Sequence, residues 1–365
     1  MYVVLISSLI ALFLTYLESK GRLKGGMKLG FVLITTLGAI HYDYGNDYMS
    51  YYDIYRDITQ YKFDLVGILD GDYFKEPGWA LLCWLFKPIG GFFAMVAGLN
   101  IFQNLLVYHT IRREVQRSWW PMSVFIYLFS TSLYLLNFSM MRQGLVVCIF
   151  FGLWPWIAAK KWIRVVVVIL LCTAIHNSAL ILLPFAFWGF LPLKNEKILV
   201  VTYISAFAAV WLGSTLMSDI LSFLSAVEEF DRYAETYGNS TEVVTYRIGY
   251  VINQIPFALG LLYICQNKQE KESTKKLIVS LACVQFLITP FASVIPLISR
   301  VSYYFIVYSM VFIPIIYSNI RILLFRYGLL LIYVFIMIYS YFMFYDSPIW
   351  FDKYSNFKTV FQLII

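Results

Sequence analysis

The sequence predicts an all-α, polytopic membrane protein, a single integral membrane domain over residues 1–365. Three observations lead there. Only 13% of the residues are charged, while 61% are hydrophobic and 19% aromatic; a water-soluble domain carries about 25% charged residues. The apolar residues come in repeated runs of roughly 15 to 20, the length a helix needs to cross about 30 Å of hydrocarbon. The period-2 alternation of a transmembrane barrel is absent, which leaves helices as the way to pair every backbone N–H and C=O inside lipid.

The first run, 2–17, opens without a basic stretch and ends in Leu17-Glu18-Ser19-Lys20 without a small-residue cleavage site, so we expect a retained helix and no cleaved signal. Further spans are expected at 28–40, 91–110, 120–137, 143–158, 163–176, 179–191, 198–213, 246–265, 277–294, 300–318 and 327–345. The run at 78–86 is too short to cross and reads as an interfacial or re-entrant helix. The expectation is about 12 transmembrane helices, of which 28–40 and 179–191 are short.

Basic residues set the orientation. One set of loops contains Lys20, Arg22, Lys24, Lys28, Arg112, Arg113, Arg117, Lys160, Lys161, Arg164, Lys194, Lys197, Lys268, Lys271, Lys275, Lys276, Arg321 and Arg326. These are 18 of the 28 Lys and Arg, against 5 of the 21 acids, a net charge of +13. The opposite side holds 10 basic and 16 acidic residues, a net charge of −6. The first side is therefore expected in the cytoplasm, with both termini outside. Two outer loops, about 41–77 and 214–245, are much longer than the rest. Loops on a rigid scaffold concentrate binding and chemistry, so function is expected to face outward.

The densest polar stretch runs from His41 to Asp57. After Gly45 its tyrosines fall at helical spacing: Tyr44, Tyr48, Tyr51 or Tyr52, and Tyr55 share one face, flanked by Asp43, Asp47 and neighbouring acids. Rings stack on the C–H face of a sugar, and carboxylates accept from its hydroxyls. The same pattern also reads as an aromatic belt at the membrane interface. Glu76-Pro77-Gly78-Trp79 closes this loop, with Glu76 either a helix N-terminal charge or a site carboxylate. Arg142, Arg247 and Arg300 stand on the side where basic residues are scarce. Snorkelling at a helix end would explain each singly. A guanidinium also grips phosphate oxygens in a bidentate fork, and ionisable groups at the membrane are functional candidates by default. His176, at the outer end of one span, is either a satisfied structural residue or a general base.

Other chemistries find no motif. The five cysteines (Cys83, Cys148, Cys172, Cys265 and Cys283) lie in apolar runs and form no CxxC pair, so they read as buried apolar side chains. No metal-ligand spacing, Walker motif or dinucleotide fingerprint occurs, and we expect no metal or other cofactor. The charge distribution points to a membrane and not to nucleic acid.

Gly45-Asn46-Asp47-Tyr48 with Tyr51-Tyr52, Glu76-Pro77-Gly78, Met141-Arg142-Gln143-Gly144, His176-Asn177-Ser178-Ala179, and Arg300 with Tyr303-Tyr304 occur in this order. Together they resemble the EpsG family, relatives of the Wzy-type bacterial polysaccharide polymerases. The family usually has Gly-Thr-Asp or a similar triplet where this chain has Gly45-Asn46-Asp47; the aspartate is kept and its neighbour differs. The resemblance implies a GT-C-like, metal-independent glycosyltransferase in the bacterial plasma (inner) membrane, with its site facing the periplasm or cell exterior. It implies transfer of a growing glycan from undecaprenyl diphosphate to a lipid-linked oligosaccharide repeat unit. Membrane lipids, a chain-length regulator and a flippase are the implied partners. On that reading Arg142, Arg300 and Arg247 hold the diphosphate; Asp47, Glu76 or His176 orients or deprotonates the acceptor; Asp43, Tyr48, Tyr51 and Tyr52 line the glycan track. An O-antigen-ligase-like transferase would share these features. A transporter or flippase of lipid-linked glycan would instead distribute its polar groups about the midplane, often with inverted repeats, and no convincing repeat is present.

Overall fold

The computed structural model describes residues 1–190, 255–266, 273–292 and 296–363. The chain forms two compact units, Met1–Leu191 with Val307–Ile365, and Pro192–Ile306.

In the first unit, α1 (Tyr2–Ser19) and α2 (Gly26–Ile40) form a helical hairpin. A Cβ on Gly30 would come within 3.0 Å of the Ala11 Cα, so the glycine permits the close approach of these two helices. At the hairpin's turn the buried Glu18 carboxylate caps α2, accepting the Met27 N–H at 2.7 Å. The Glu18 carbonyl in turn accepts Arg117 Nε at 3.0 Å. This end of the unit carries Lys20, Arg22 and Arg117, part of the basic set that the charge pattern assigns to one side.

Segment 41–90 folds as β1 (His41–Tyr42), α3 (Tyr48–Thr59), α4 (Leu65–Asp70) and α5 (Pro77–Phe86), the last matching the short run expected at 78–86. The helices α6 (Gly91–Glu114), α7 (Trp120–Phe129), α9 (Met141–Ala158) and α10 (Trp162–Ile175) follow, with a four-residue α8 (Leu136–Ser139) between α7 and α9. α6 shows why these helices belong in lipid. Its amides Asn100, Gln103 and Asn104 point inward and are buried, while Ile101, Phe102 and Leu105 are exposed. Inside, Asn104 Oδ1 accepts Tyr127 Oη at 2.9 Å, and Tyr127 Oη accepts Asn137 Nδ2 at 3.3 Å. Polar-in and apolar-out is the reverse of a helix facing water.

The second unit contains α11 (Ile255–Gln266), α12 (Ser273–Ala292) and α13 (Pro296–Ile306); α12 packs against both of the others, with Phe257 and Phe286 rings 5.7 Å apart. The first unit resumes with α14 (Ser309–Asn319), α15 (Leu323–Asp346) and α16 (Pro348–Ser355). Strand β2 (Lys358–Thr359) pairs antiparallel with β1, His41 opposite Thr359. The end of the chain is thereby strapped to the 41–77 segment.

Among the described residues, four helices are long and apolar enough to cross a membrane: α1, α6, α9 and α15, or up to five when one pair of shorter helices counts as a single span. The expected twelve is therefore met only in its class, an all-α membrane protein. The expected span at 120–137 breaks after Phe129 into a turn and the short α8. Ser130-Thr131-Ser132 supply hydroxyls that compete for backbone bonds at this point. Residues Asn177–Phe190 wind as a 3-10 helix. At about 2.0 Å per residue those residues reach about 28 Å, so a segment short for an α-helical crossing gains length. The expected span 198–213, the first part of 246–265 (residues 246–254), and the expected outer loop 214–245 lie outside the described residues.

Candidate functional site

The site gathers at the end of the first unit opposite the Glu18–Arg117 contact. Pro77 opens α5 with its fixed φ, and the backbone carbonyl of Glu76 accepts the N–H groups of Trp79 and Ala80 at 3.0 and 3.2 Å. The Glu76 carboxylate does not cap its own helix. It turns to the far end of α10, where Oε1 accepts the Asn177 backbone N–H at 3.0 Å and lies 3.3 Å from His176 Nδ1. Its other oxygen, Oε2, receives Arg142 Nη1 from the first turn of α9.

Glu76 is 2% exposed, against 18% for Arg142 and 17% for His176. A carboxylate so deeply buried keeps its charge only when paired and hydrogen-bonded, and here three donors meet it. The approach depends on Gly78, where a Cβ would fall 2.9 Å from the Ala174 carbonyl. α5 thus packs onto the last turn of α10, within reach of the His176 break. His176 itself leaves the helix with extended φ and ψ of −154° and 109°, which swings the ring out of the helical path.

Arg142 is also held by rings. Its guanidinium carbon stands 5.4 Å from the Tyr51 ring centre and 5.1 Å from that of Phe74. Burial pushes the Tyr51 phenol up, and the Arg142 charge opposes that shift. Asp47 shapes the same wall: its Oδ2 accepts Ser139 Oγ at 3.2 Å, three residues before Arg142. The turn that delivers Asp47 needs Gly45. At φ +113° Gly45 adopts a conformation closed to other residues, and a Cβ there would lie 2.3 Å from the Phe138 carbonyl oxygen.

Four of the residues singled out in the sequence, Asp47, Glu76, Arg142 and His176, are therefore brought to one region. The tyrosines divide. Tyr48 is fully buried, its hydroxyl donating to the His41 carbonyl at 3.1 Å, so its ring presents no face to a sugar. Tyr51 is 6% exposed and packs on Trp79 and Arg142. Tyr52 is partly exposed and lies on Phe92 and Phe93. Asp43 faces Lys353 at 3.3 Å and Lys358 at 3.5 Å, on the strap formed by the end of the chain. Arg300 lies on α13 in the second unit, and Arg247 lies outside the described residues. His41, the other histidine that the sequence places on the outer side, is structural: Nδ1 bonds the Gly38 carbonyl at 2.6 Å, and burial lowers its pKa to about 4, so the ring is neutral. Sequence reasoning missed Phe74, Ser139 as a partner of Asp47, and the backbone N–H of Asn177. A phenylalanine two residues before a glutamate carries no signal of its own, and a backbone donor carries none at all.

Among the described residues no group of three or more His, Cys, Asp or Glu could hold a metal ion. The arrangement suits proton transfer and anion recognition. A carboxylate on Nδ1 fixes the imidazole tautomer and directs base chemistry to Nε2. A guanidinium with five N–H donors can bind a carboxylate and still reach phosphate oxygens.

No curated protein and no solved structure matches the chain significantly. The EpsG family model matches residues 28–359, a stretch that holds every element of this site. That match carries a polysaccharide-polymerase-like, glycosyltransferase function for a membrane protein. With almost its whole length covered, this chain belongs to the EpsG family.

Proposed function

We propose that the protein elongates a bacterial polysaccharide. It would transfer the growing glycan from undecaprenyl diphosphate to the non-reducing end of a lipid-linked oligosaccharide repeat unit, at the extracytoplasmic face of the plasma membrane. The observation that carries this reading is the buried Glu76 carboxylate shared by Arg142 and His176, a base and an anion-binding group built as one unit.

In this mechanism His176 Nε2 takes the proton from the acceptor hydroxyl. The hydroxyl oxygen bonds to the donor's anomeric carbon as the bond from that carbon to the diphosphate oxygen breaks. The electron pair leaves on the lipid diphosphate. Arg142 meets the developing charge, a part that the family resemblance also assigns to Arg300 and Arg247. Glu76 is a positioning residue: it sets the tautomer of His176 and the plane of Arg142. Asp47 orients the acceptor, and the partly exposed Tyr52 offers the ring for the glycan. This reading uses no metal: Arg142 supplies cationic charge for the leaving group. A chain-length regulator and a flippase are the partners this reading expects.

The test is extension by the purified protein in liposomes, given only a synthetic lipid-linked repeat unit. The proposal expects a ladder of products from the native protein and extension at least about 100-fold slower from His176→Ala. Transfer to a different acceptor without a ladder would instead indicate a ligase. Movement of the lipid across the bilayer without new bonds would indicate a flippase.

A further inference from the structure

From sequence, about 41–77 reads as a long polar outer loop and 78–86 as an interfacial or re-entrant helix; in the fold, the surface of 41–90 has two sides. On α3, the exposed positions are Ser50, Asp53, Arg56 and Asp57, a polar and charged face suited to water. α4 and α5 differ. The acids of α4 sit at its ends: Asp64 Oδ1 caps the helix by accepting the Val66 N–H at 3.1 Å, and Asp70 closes it. Between them α4 is wholly apolar. Ile68 is buried on the core, while Val66 and Leu69 are 68% and 58% exposed. Phe63 just before α4 is 56% exposed, and Leu85 and Ile89 at the far end of α5 are 58% and 63% exposed. In water, each exposed aliphatic side chain forgoes the stabilisation that burial would bring.

Two features say what covers this edge. The first is continuity with a membrane-crossing helix. Ile89 stands two residues before α6, and Phe86 packs back along it, so close that a Cβ on Gly98 would fall 2.8 Å from the Phe86 ring. α6 spans 24 residues, about 36 Å, so its first turns lie near the head groups and α5 runs beside its upper third. The second feature is an aromatic and cationic fringe. Phe63 and Trp84 rings meet edge to face at 5.6 Å. Lys87 Nζ lies 4.2 Å from the Trp84 ring centre and donates to the Thr59 carbonyl at 2.5 Å. A tryptophan ring with a lysine folded over it is typical of a head-group boundary.

We infer that the edge formed by Phe63, Val66, Leu69, Leu85 and Ile89 is immersed in the adjacent lipid leaflet, where it binds the boundary between head groups and acyl chains. The 41–77 segment is then half loop and half monotopic anchor: Asp53, Arg56 and Asp57 face water while α4 lies in lipid. This places the start of α5, and with it Glu76, on an element anchored from the hydrocarbon side. The inference rests on the membrane assignment alone and is independent of the reaction proposed above.

The test places a single environment-sensitive fluorophore on cysteine at Val66→Cys, at Leu69→Cys, and at Asp57→Cys as the water-side reference. The protein is the full chain in phosphatidylcholine–phosphatidylglycerol vesicles. Cys83, Cys148, Cys172 and Cys283 are buried, and background from native thiols is measured on the unsubstituted protein. The inference expects blue-shifted emission at positions 66 and 69. It also expects several-fold stronger quenching there by a lipid with a spin label near the head group than at position 57, with the order reversed for aqueous iodide. Equal iodide quenching at all three positions would overturn it. Protection at 66 and 69 from both quenchers would also overturn it, and would show a protein partner or second copy on this edge.

Discussion

Two carboxylates from the same segment, Glu76 and Asp43, each face two basic side chains, yet they do different work. Asp43 is 22% exposed, and its partners Lys353 and Lys358 are 43% and 50% exposed, at 3.3 and 3.5 Å. Water screens such pairs, and exposed ion pairs contribute about 0–1 kcal/mol. Glu76 is 2% exposed and meets a guanidinium, an imidazole and a backbone N–H. Its partners cannot be replaced by water. The difference teaches that burial, more than the number of cations nearby, separates a site carboxylate from a strap on the surface.

The sharpest break of this comparison is His176→Ala. If Glu76 organises a base, extension of a lipid-linked repeat unit should fall by about 10²- to 10⁴-fold, the usual contribution of a general base. The melting temperature should change little, because Arg142 and Asn177 still pair the carboxylate. Undiminished extension would make the Glu76 cluster as structural as the Asp43 strap.

Arg142→Ala comes next, and its effect on stability should be large. It strands a buried carboxylate, and breaking such a pair costs about 3–5 kcal/mol. Adding Glu76→Gln should restore much of the thermal stability in detergent without restoring extension. A double variant no more stable than Arg142→Ala would mean that the pairing energy lies elsewhere.

The turn between the two acids gives a smaller effect. Gly45→Ala forces a side chain into positive φ against the Phe138 carbonyl, and such a change should destabilise by more than about 1 kcal/mol. Chemical denaturation would measure it. Extension should fall as well, since a displaced Ser139 loosens Asp47. A neutral outcome would show that the turn relaxes freely.

Asp43→Asn is the smallest. We expect less than about 1 kcal/mol, diminishing further as salt is raised, and extension close to native. Asparagine tolerates the positive φ of 45° found there. A loss as large as that of Arg142→Ala would erase the distinction between the two carboxylates.

Much of the site was legible as candidates. Arg142 stood out because basic residues are scarce on its side, and Glu76 and His176 because polar groups at the ends of apolar runs need a reason. Their association was not legible. Glu76 looked as suited to its own helix dipole as to a site, and only the packing of α5 on α10 at Gly78 turns its carboxylate toward residue 176. The tyrosine periodicity identified α3 correctly but not its direction. Tyr48 and Tyr51 sit on the inward face, where the apolar surfaces of Phe92 and Trp79 claim their rings. α4 was hidden for a similar reason, since five apolar residues between aspartates give no period to read.

The sequence by itself determined that this is a helical membrane protein, because transfer of side chains to lipid is a sum over local runs. It also marked which polar residues stand where lipid or charge makes them unusual. Only the tertiary structure decided that Glu76, Arg142 and His176 share one carboxylate, that Asp43 is tied to the end of the chain, and that α4 exposes apolar side chains. Hydrogen bonds between residues 66 and 100 positions apart depend on how helices pack. That packing is set by close approaches such as Gly78 on Ala174, which no local pattern reveals.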